Sequence, residues 1–301
     1  MILHNYDISP YSEMIRLMLG HSNIDWRSDI SPPYPPRKIV DPLTGGYRRI
    51  PVAQIGADLF CDTRIICSEI ANISGMPELS FESVDAEIAQ FANQTNSEYF
   101  MPIVQTSEPK SILKMLVTRY WPWQILALMK DRAQVAKSAN GERLTKQQMI
   151  ERMTTLKQSI ESKLAEQDFL FGSAPSVADF AAYHLIWFAD LTRSTKFLKE
   201  HPKASKWQAR MNKIGHGNYT KINQHDVFNQ AKNTPRPVDK TMQNNADIGK
   251  SVSIAPVDYA RDSVEGELVG SDDTRWIVAR QSNEFGLLHV HFPRDGYALS
   301  I

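Results

Sequence analysis

Ile2-Leu3-His4-Asn5-Tyr6, followed by Ser9-Pro10-Tyr11-Ser12-Glu13-Met14-Ile15-Arg16, is the stretch that decides how this chain folds. The first five residues form a short apolar run that can pair as a strand. Ser9 then stands where a hydroxyl caps a helix, and Pro10 where the missing N–H costs nothing. Met14, Ile15, Leu17, Met18 and Leu19 continue at helical spacing as far as Gly20. A second strand is expected at Asp25–Asp29. Ser31–Pro36 is too rich in proline for a ladder, and Gly45-Gly46 marks a turn. Val52–Ile55 and Leu59–Cys61 read as strands joined by Gly56-Ala57-Asp58. Asp62-Thr63 opens a helix through Ile65, Ile66, Ile70 and Ile73 that stops at Gly75.

This β-α-β, then ββα, order is the thioredoxin-like one, expected over residues 1–76. From 82 to 230 the apolar spacing is helical, through Ile88–Phe91, Ile112–Leu116, Ile125–Met129, Met149–Leu164 and Phe180–Phe188. Polar Gln134–Gly141 reads as a loop or frayed end. Periodicity is lost over 231–250, which contains Asn233-Thr234-Pro235-Arg236-Pro237 and is expected to be a linker. In 251–301 short strands are expected at Gly266–Val269, Trp276–Ala279 and Leu287–Phe292. The fold class is therefore α/β plus all-α: a thioredoxin-like N-terminal domain, a helical bundle and a small β-rich C-terminal extension. The extension is too small for a core of its own, so it should pack on the body of the protein or on a partner subunit.

Of the 301 residues, 42% are hydrophobic and 23% charged, ordinary for a globular protein with real cores. The net charge is zero and the pI about 7.1, which argues against nucleic acid as a partner. No window reaches the ~18 apolar residues of a membrane span, and the start does not read as a signal peptide. Cys61 and Cys67 have no metal or redox spacing and read as small buried apolar groups, so a cytoplasmic location is expected. His289 and His291 share one face of a strand. Without an evident third ligand, an exposed strand face is expected and no metal.

Three features belong together: Ser9-Pro10-Tyr11-Ser12-Glu13 with Arg16, Ile50-Pro51-Val52, and Asp62-Thr63. In this ordered set the chain resembles the cytosolic glutathione transferase family, in its serine or cysteine branch. The first feature looks like the family's Ser/Cys-Pro-x-Ser/Ala stretch, the second its cis-proline segment, the third its Glu/Asp-Ser/Thr pair. Ser176-Val177-Ala178-Asp179-Phe180 resembles its N-capping motif in the helical domain.

The resemblance implies glutathione as co-substrate, a small electrophile as second substrate, and a homodimer. Ser9 is then the catalytic hydroxyl. It donates a hydrogen bond to the glutathione thiolate at a helix N-terminus, where partial positive charge favours the anion. A capping role alone is the alternative for Ser9, and Ser12 is the second hydroxyl to consider. By resemblance, Ile50, freed by cis Pro51, would pair its backbone with the cysteinyl unit. Asp62 and Thr63 would hold the γ-glutamyl end. Tyr11, Tyr120, Trp121 and Trp123 could line an apolar acceptor pocket, or simply pack. Tyr6 is a weaker candidate for thiol activation. Arg49 can approach the glycyl carboxylate, although a solvated surface position is expected for it. A competing reading is a non-catalytic binding or regulatory protein on the same fold.

Overall fold

The computed structural model describes residues 1–138 and 144–301. β1 (Ile2–Asn5), α1 (Pro10–His21), β2 (Trp26–Ile30), α2 (Val40–Thr44), β3 (Val52–Ile55), β4 (Asp58–Cys61) and α3 (Thr63–Ser74) follow in order. β1 runs parallel to β2 and antiparallel to β3, and β3 runs antiparallel to β4. This is the thioredoxin-like arrangement. Gly20, read as the helix stop, lies inside α1. Its missing side chain has a different use: a Cβ there would sit 2.2 Å from the Gly215 carbonyl oxygen, so the 215–217 turn can cross α1 closely.

The helical domain comprises α4 (Ala86–Gln94), α5 (Phe100–Gln105), α6 (Pro109–Val117), α7 (Pro122–Ser138), α8 (Lys146–Lys163), α9 (Val177–Leu191), α10 (Pro202–Ile214) and α11 (Gln224–Ala231). Two expectations are sharpened here. Of Gln134–Gly141, read as a loop or frayed end, Gln134–Ser138 is the last part of α7, as its good helix formers Gln134, Ala136 and Lys137 favour; residues 139–141 lie outside the described residues. The stretch 82–230 is also not wholly helical. Tyr219–Lys221 forms β5, parallel to β2, with Tyr219 stacked 4.6 Å from Trp26. Three residues are too few to show a period.

After a short 3₁₀ turn at Lys240–Gln243, the extension forms β6 (Ser251–Pro256), β7 (Val264–Ser271), β8 (Arg275–Ser282), β9 (Gly286–Pro293) and β10 (Tyr297–Ser300). It is no separate layer. Among the described residues ten strands make one sheet, ordered β10-β6-β7-β8-β9-β4-β3-β1-β2-β5. The join is β9 to β4, parallel, with Asp58 opposite His289, Leu59 opposite Val290 and Phe60 opposite His291. Strand alternation then sorts two cores. Leu3, Ala53 and Phe60 face α1, α3 and the helical domain. Ile2, Val52, Leu59 and Cys61 face the other way, in one cluster with Val252, Leu268, Val278, Val290 and Phe292.

The same alternation overturns the exposed face expected for His289 and His291. Both are buried, because β9 lies beside β4 with α3 across it. The His291 ring stacks 4.6 Å from Phe60, and its Nε2 donates to Asp58 Oδ1 at 2.8 Å. Among the described residues no group of three or more His, Cys, Asp or Glu is placed to hold a metal ion. Both cysteines are buried, and burial pushes their thiols up.

In the helical domain the Ser176–Asp179 motif begins α9. Asp179 Oδ2 accepts from the Ser176 N–H at 2.9 Å, while Oδ1 accepts from Leu170 N–H at 2.9 Å and Trp207 Nε1 at 2.8 Å. The carboxylate therefore ties three segments rather than merely capping one. Also on α9, His184 is completely buried, and desolvation pushes it down to about 4. A base depressed in the folded state binds its proton more readily when unfolded. Its contribution is thus complete above the ordinary value of 6.5 and drains away as pH falls toward 4. We expect unfolding free energy, measured by urea titration, to drop by roughly 3 kcal/mol from this group between pH 7 and pH 4. His184→Gln should flatten that part of the profile, and an unchanged profile in the variant would assign the acid sensitivity elsewhere.

Candidate functional site

The β1–α1 turn is held from below by Arg16. Its guanidinium donates to Asn5 Oδ1 (2.9 Å) and to the carbonyls of Tyr6 (3.3 Å) and Asp7 (3.1 Å), and pairs with Glu13 at 2.7 Å. His216 reaches Glu13 from the far side at 3.1 Å. Burial alone would raise the Glu13 carboxyl, but hydrogen bonding to His216 and the charge of Arg16 hold it low. Arg16, the basic residue of the quoted motif, is thus buried and committed to the turn that carries Ser9.

Ser9 is the N-cap of α1, its Oγ accepting from the Ser12 N–H at 3.1 Å. A hydroxyl has one donor and two acceptor positions, so this cap leaves the Ser9 O–H free to donate. The accepted bond also polarises that O–H. Ser9 is only 1% exposed. Ser12 is buried, and its Oγ has no hydrogen-bond partner.

Ile50–Pro51 is a cis peptide bond, just ahead of β3, whose ladder starts at Val52. Asp62 N-caps α3, with Oδ1 accepting from Arg64 N–H at 3.0 Å, at a φ of +92° that non-glycine residues seldom adopt. Thr63 follows as the first residue of α3.

The structure adds residues that local sequence reading missed. Arg49 is not a solvated surface side chain; it is 14% exposed and lies 3.9 Å from Asp62. It pairs with Asp258, donates to the Tyr259 carbonyl at 2.5 Å and lies 4.1 Å over the Tyr259 ring. Tyr297 donates to Asp62 Oδ2 at 3.0 Å and meets the Tyr47 hydroxyl at 2.6 Å. Asp258, Tyr259 and Tyr297 all come from the extension, and no local period or motif marks them. Tyr11 packs between Phe100 and His184, each ring 5.0 Å away. Burial chiefly, with Tyr259 and Asp62 nearby, raises its phenol well above the ordinary value, so it stays a neutral donor.

The four aromatic residues read as an acceptor pocket do not converge. Tyr120 joins the cluster of Ile8, Met115, Leu116 and Leu128. Trp121 and Trp123 are 66% and 65% exposed and stack on each other 5.3 Å apart. They flank Pro122 at the start of α7, where both project outward. Tyr6 meets Arg132 of α7 at 3.4 Å.

A thioredoxin-like sheet followed by an all-helical domain, with a hydroxyl at the first helix N-terminus, a cis-proline strand entry and an acidic cap on α3, defines a glutathione-transferase class of protein. Comparison with known proteins agrees. Residues 3–78 match the glutathione S-transferase N-terminal domain and residues 121–214 its C-terminal domain. A GST-like protein from Pseudomonas syringae is 31% identical, covering 99% of this chain and 98% of its own, with a TM-score of 0.80. A glutathione S-transferase from Rhodospirillum rubrum F11 is 17% identical over 70% of this chain and 87% of its own, with a TM-score of 0.48. No curated protein matches the sequence. The chain belongs to the glutathione S-transferase family. Among the described residues no helix is long and apolar enough to cross a membrane.

Proposed function

We propose that this protein is a glutathione transferase that joins the glutathione thiolate to a small, apolar electrophile. The observation carrying the reading is the geometry at Ser9: its oxygen accepts from Ser12 N–H, leaving its own proton for a sulfur anion at the α1 N-terminus. Ile50 with Pro51 would hold the cysteinyl unit, and Asp62 with Thr63 the γ-glutamyl end. The enzyme would work in the cytoplasm as a homodimer, without a metal.

One observation favours the second reading, a binding or regulatory protein: Ser9 is almost wholly covered, and Asp62 is already engaged by Tyr297 and Arg49. Calorimetry with glutathione and turnover of a chloronitrobenzene acceptor separate the two. Under the transferase reading Ser9→Ala keeps glutathione affinity within about threefold but loses on the order of 10²-fold in kcat, the effect of removing one donor to a developing or resident anion. Loss in Ser12→Ala instead would move the role to Ser12. Glutathione binding with no turnover in the unaltered protein would establish the second reading.

A further inference from the structure

We propose that the β6–β7 connection, residues 257–263, is a strap that competes with glutathione for Arg49, with the Asp258 carboxylate standing in for a carboxylate of the ligand. The inference rests on the glutathione reading above. Seven residues are more than an antiparallel hairpin needs, since two to five suffice. The excess length carries the chain back over the thioredoxin-like half. There Asp258 pairs with Arg49, and Asp262 lies 3.7 Å from Arg48.

The arginines of these contacts are mostly buried, and their aspartate partners are about half exposed. Arg49 is 14% exposed and Arg48 19%, whereas Asp258 and Asp262 are 54% and 47% exposed. Half-hydrated pairs of this kind are weak and exchange readily. Ala260, buried in the middle of the strap, sits at a φ of +49°, a conformation an L side chain adopts only under strain. A guanidinium binds a carboxylate best through two parallel N–H groups. Asp258 and the Tyr259 carbonyl both take Arg49 Nη2, so while the strap is seated a ligand carboxylate cannot make a two-point contact that uses that nitrogen. Tyr259 closes the same place, its ring over Arg49 and its carbonyl accepting from it. Glutathione brings the same chemical group that the strap already supplies, so binding becomes an exchange. The apparent affinity is then reduced by the fraction of molecules with the strap seated.

The test is calorimetric titration of reduced glutathione into the full-length protein, Asp258→Asn, and the double variant Asp258→Asn/Asp262→Asn. Both substitutions are at exposed side chains and leave the cores intact. The expected result is a Kd lowered roughly three- to tenfold by the first change and further by the second. Equal or weaker binding in both variants, beside clear binding in the unaltered protein, overturns the strap and leaves the glutathione reading standing. No binding in any of the three overturns that reading and the strap with it. Amide hydrogen exchange gives an independent readout. Glutathione should speed exchange across 258–263, and slower exchange there would mean that the strap closes on the ligand rather than competing with it.

Discussion

Removing residues 251–301 is expected to abolish cooperative folding of the remaining chain. The extension covers the face formed by Ile2, Val40, Leu43, Tyr47, Val52 and Leu59, all buried against Val252, Leu268, Val278, Val290 and Phe292. Each large apolar side chain returned to water costs roughly 1.5–3 kcal/mol. Even allowing for the cover that α2 and α11 keep, the loss is comparable with the whole 5–15 kcal/mol of a typical domain. The cut also leaves β4 as an open edge, with the ladder from Asp58 to Phe60 unpaired. Circular dichroism of residues 1–250 should show no sharp thermal transition, and light scattering should show aggregates. A monodisperse protein melting within a few degrees of the full chain would show that the extension is only decoration.

The second large effect is expected at Asp58. It is 2% exposed as a side chain, accepts from His291 Nε2 at 2.8 Å and from the Arg236 N–H at 2.9 Å, and lies 3.7 Å from the Arg236 guanidinium. Arg236 also pairs with Glu69 of α3 at 2.6 Å. One carboxylate thus fastens the extension and the 231–250 segment to the body. Asp58→Ala strands a buried imidazole N–H and a backbone N–H, and should destabilise by about 3–5 kcal/mol in urea titration at pH 7. Asp58→Asn, which keeps shape and one acceptor, should cost visibly less. Burial alone would raise the Asp58 carboxyl, but the hydrogen bonds from His291 and Arg236, with their charges, hold it below its ordinary 3.8. A depressed carboxyl contributes fully above that value and loses its contribution as pH falls through the folded value. The stability gap between the natural chain and Asp58→Ala should therefore narrow below about pH 4. A gap of under about 1 kcal/mol at pH 7 would show that the clamp is incidental.

Local chemistry made the first seventy-five residues legible. Ser9 and Asp62 announce helix starts, Gly75 ends one, and the runs between alternate at the period of strand or helix. The strand expected at 25–29 lies at Trp26–Ile30, a shift of one residue. The three strands expected in the extension lie within β7, β8 and β9, but β6 and β10 were not foreseen. β10 has only four residues, and β6 ends in a proline. What the sequence could not disclose is pairing at a distance. Leu288–Phe292 looked like any half-exposed strand, and only its place beside β4 buries both of its faces. Arg49 looked solvated because Asp258 and Tyr259, which cover it, are more than 200 residues further along.

The β4–β9 ladder is fastened by the side-chain hydrogen bond from His291 to Asp58, which spans 233 residues. Ribosomes add roughly 5–20 residues per second. For something like ten to fifty seconds of each synthesis, then, the thioredoxin-like half exists with its β4 rim bare and its apolar underside open to water. No local folding can shorten that interval, since β9, the strand that covers the rim, lies more than 200 residues downstream of β4.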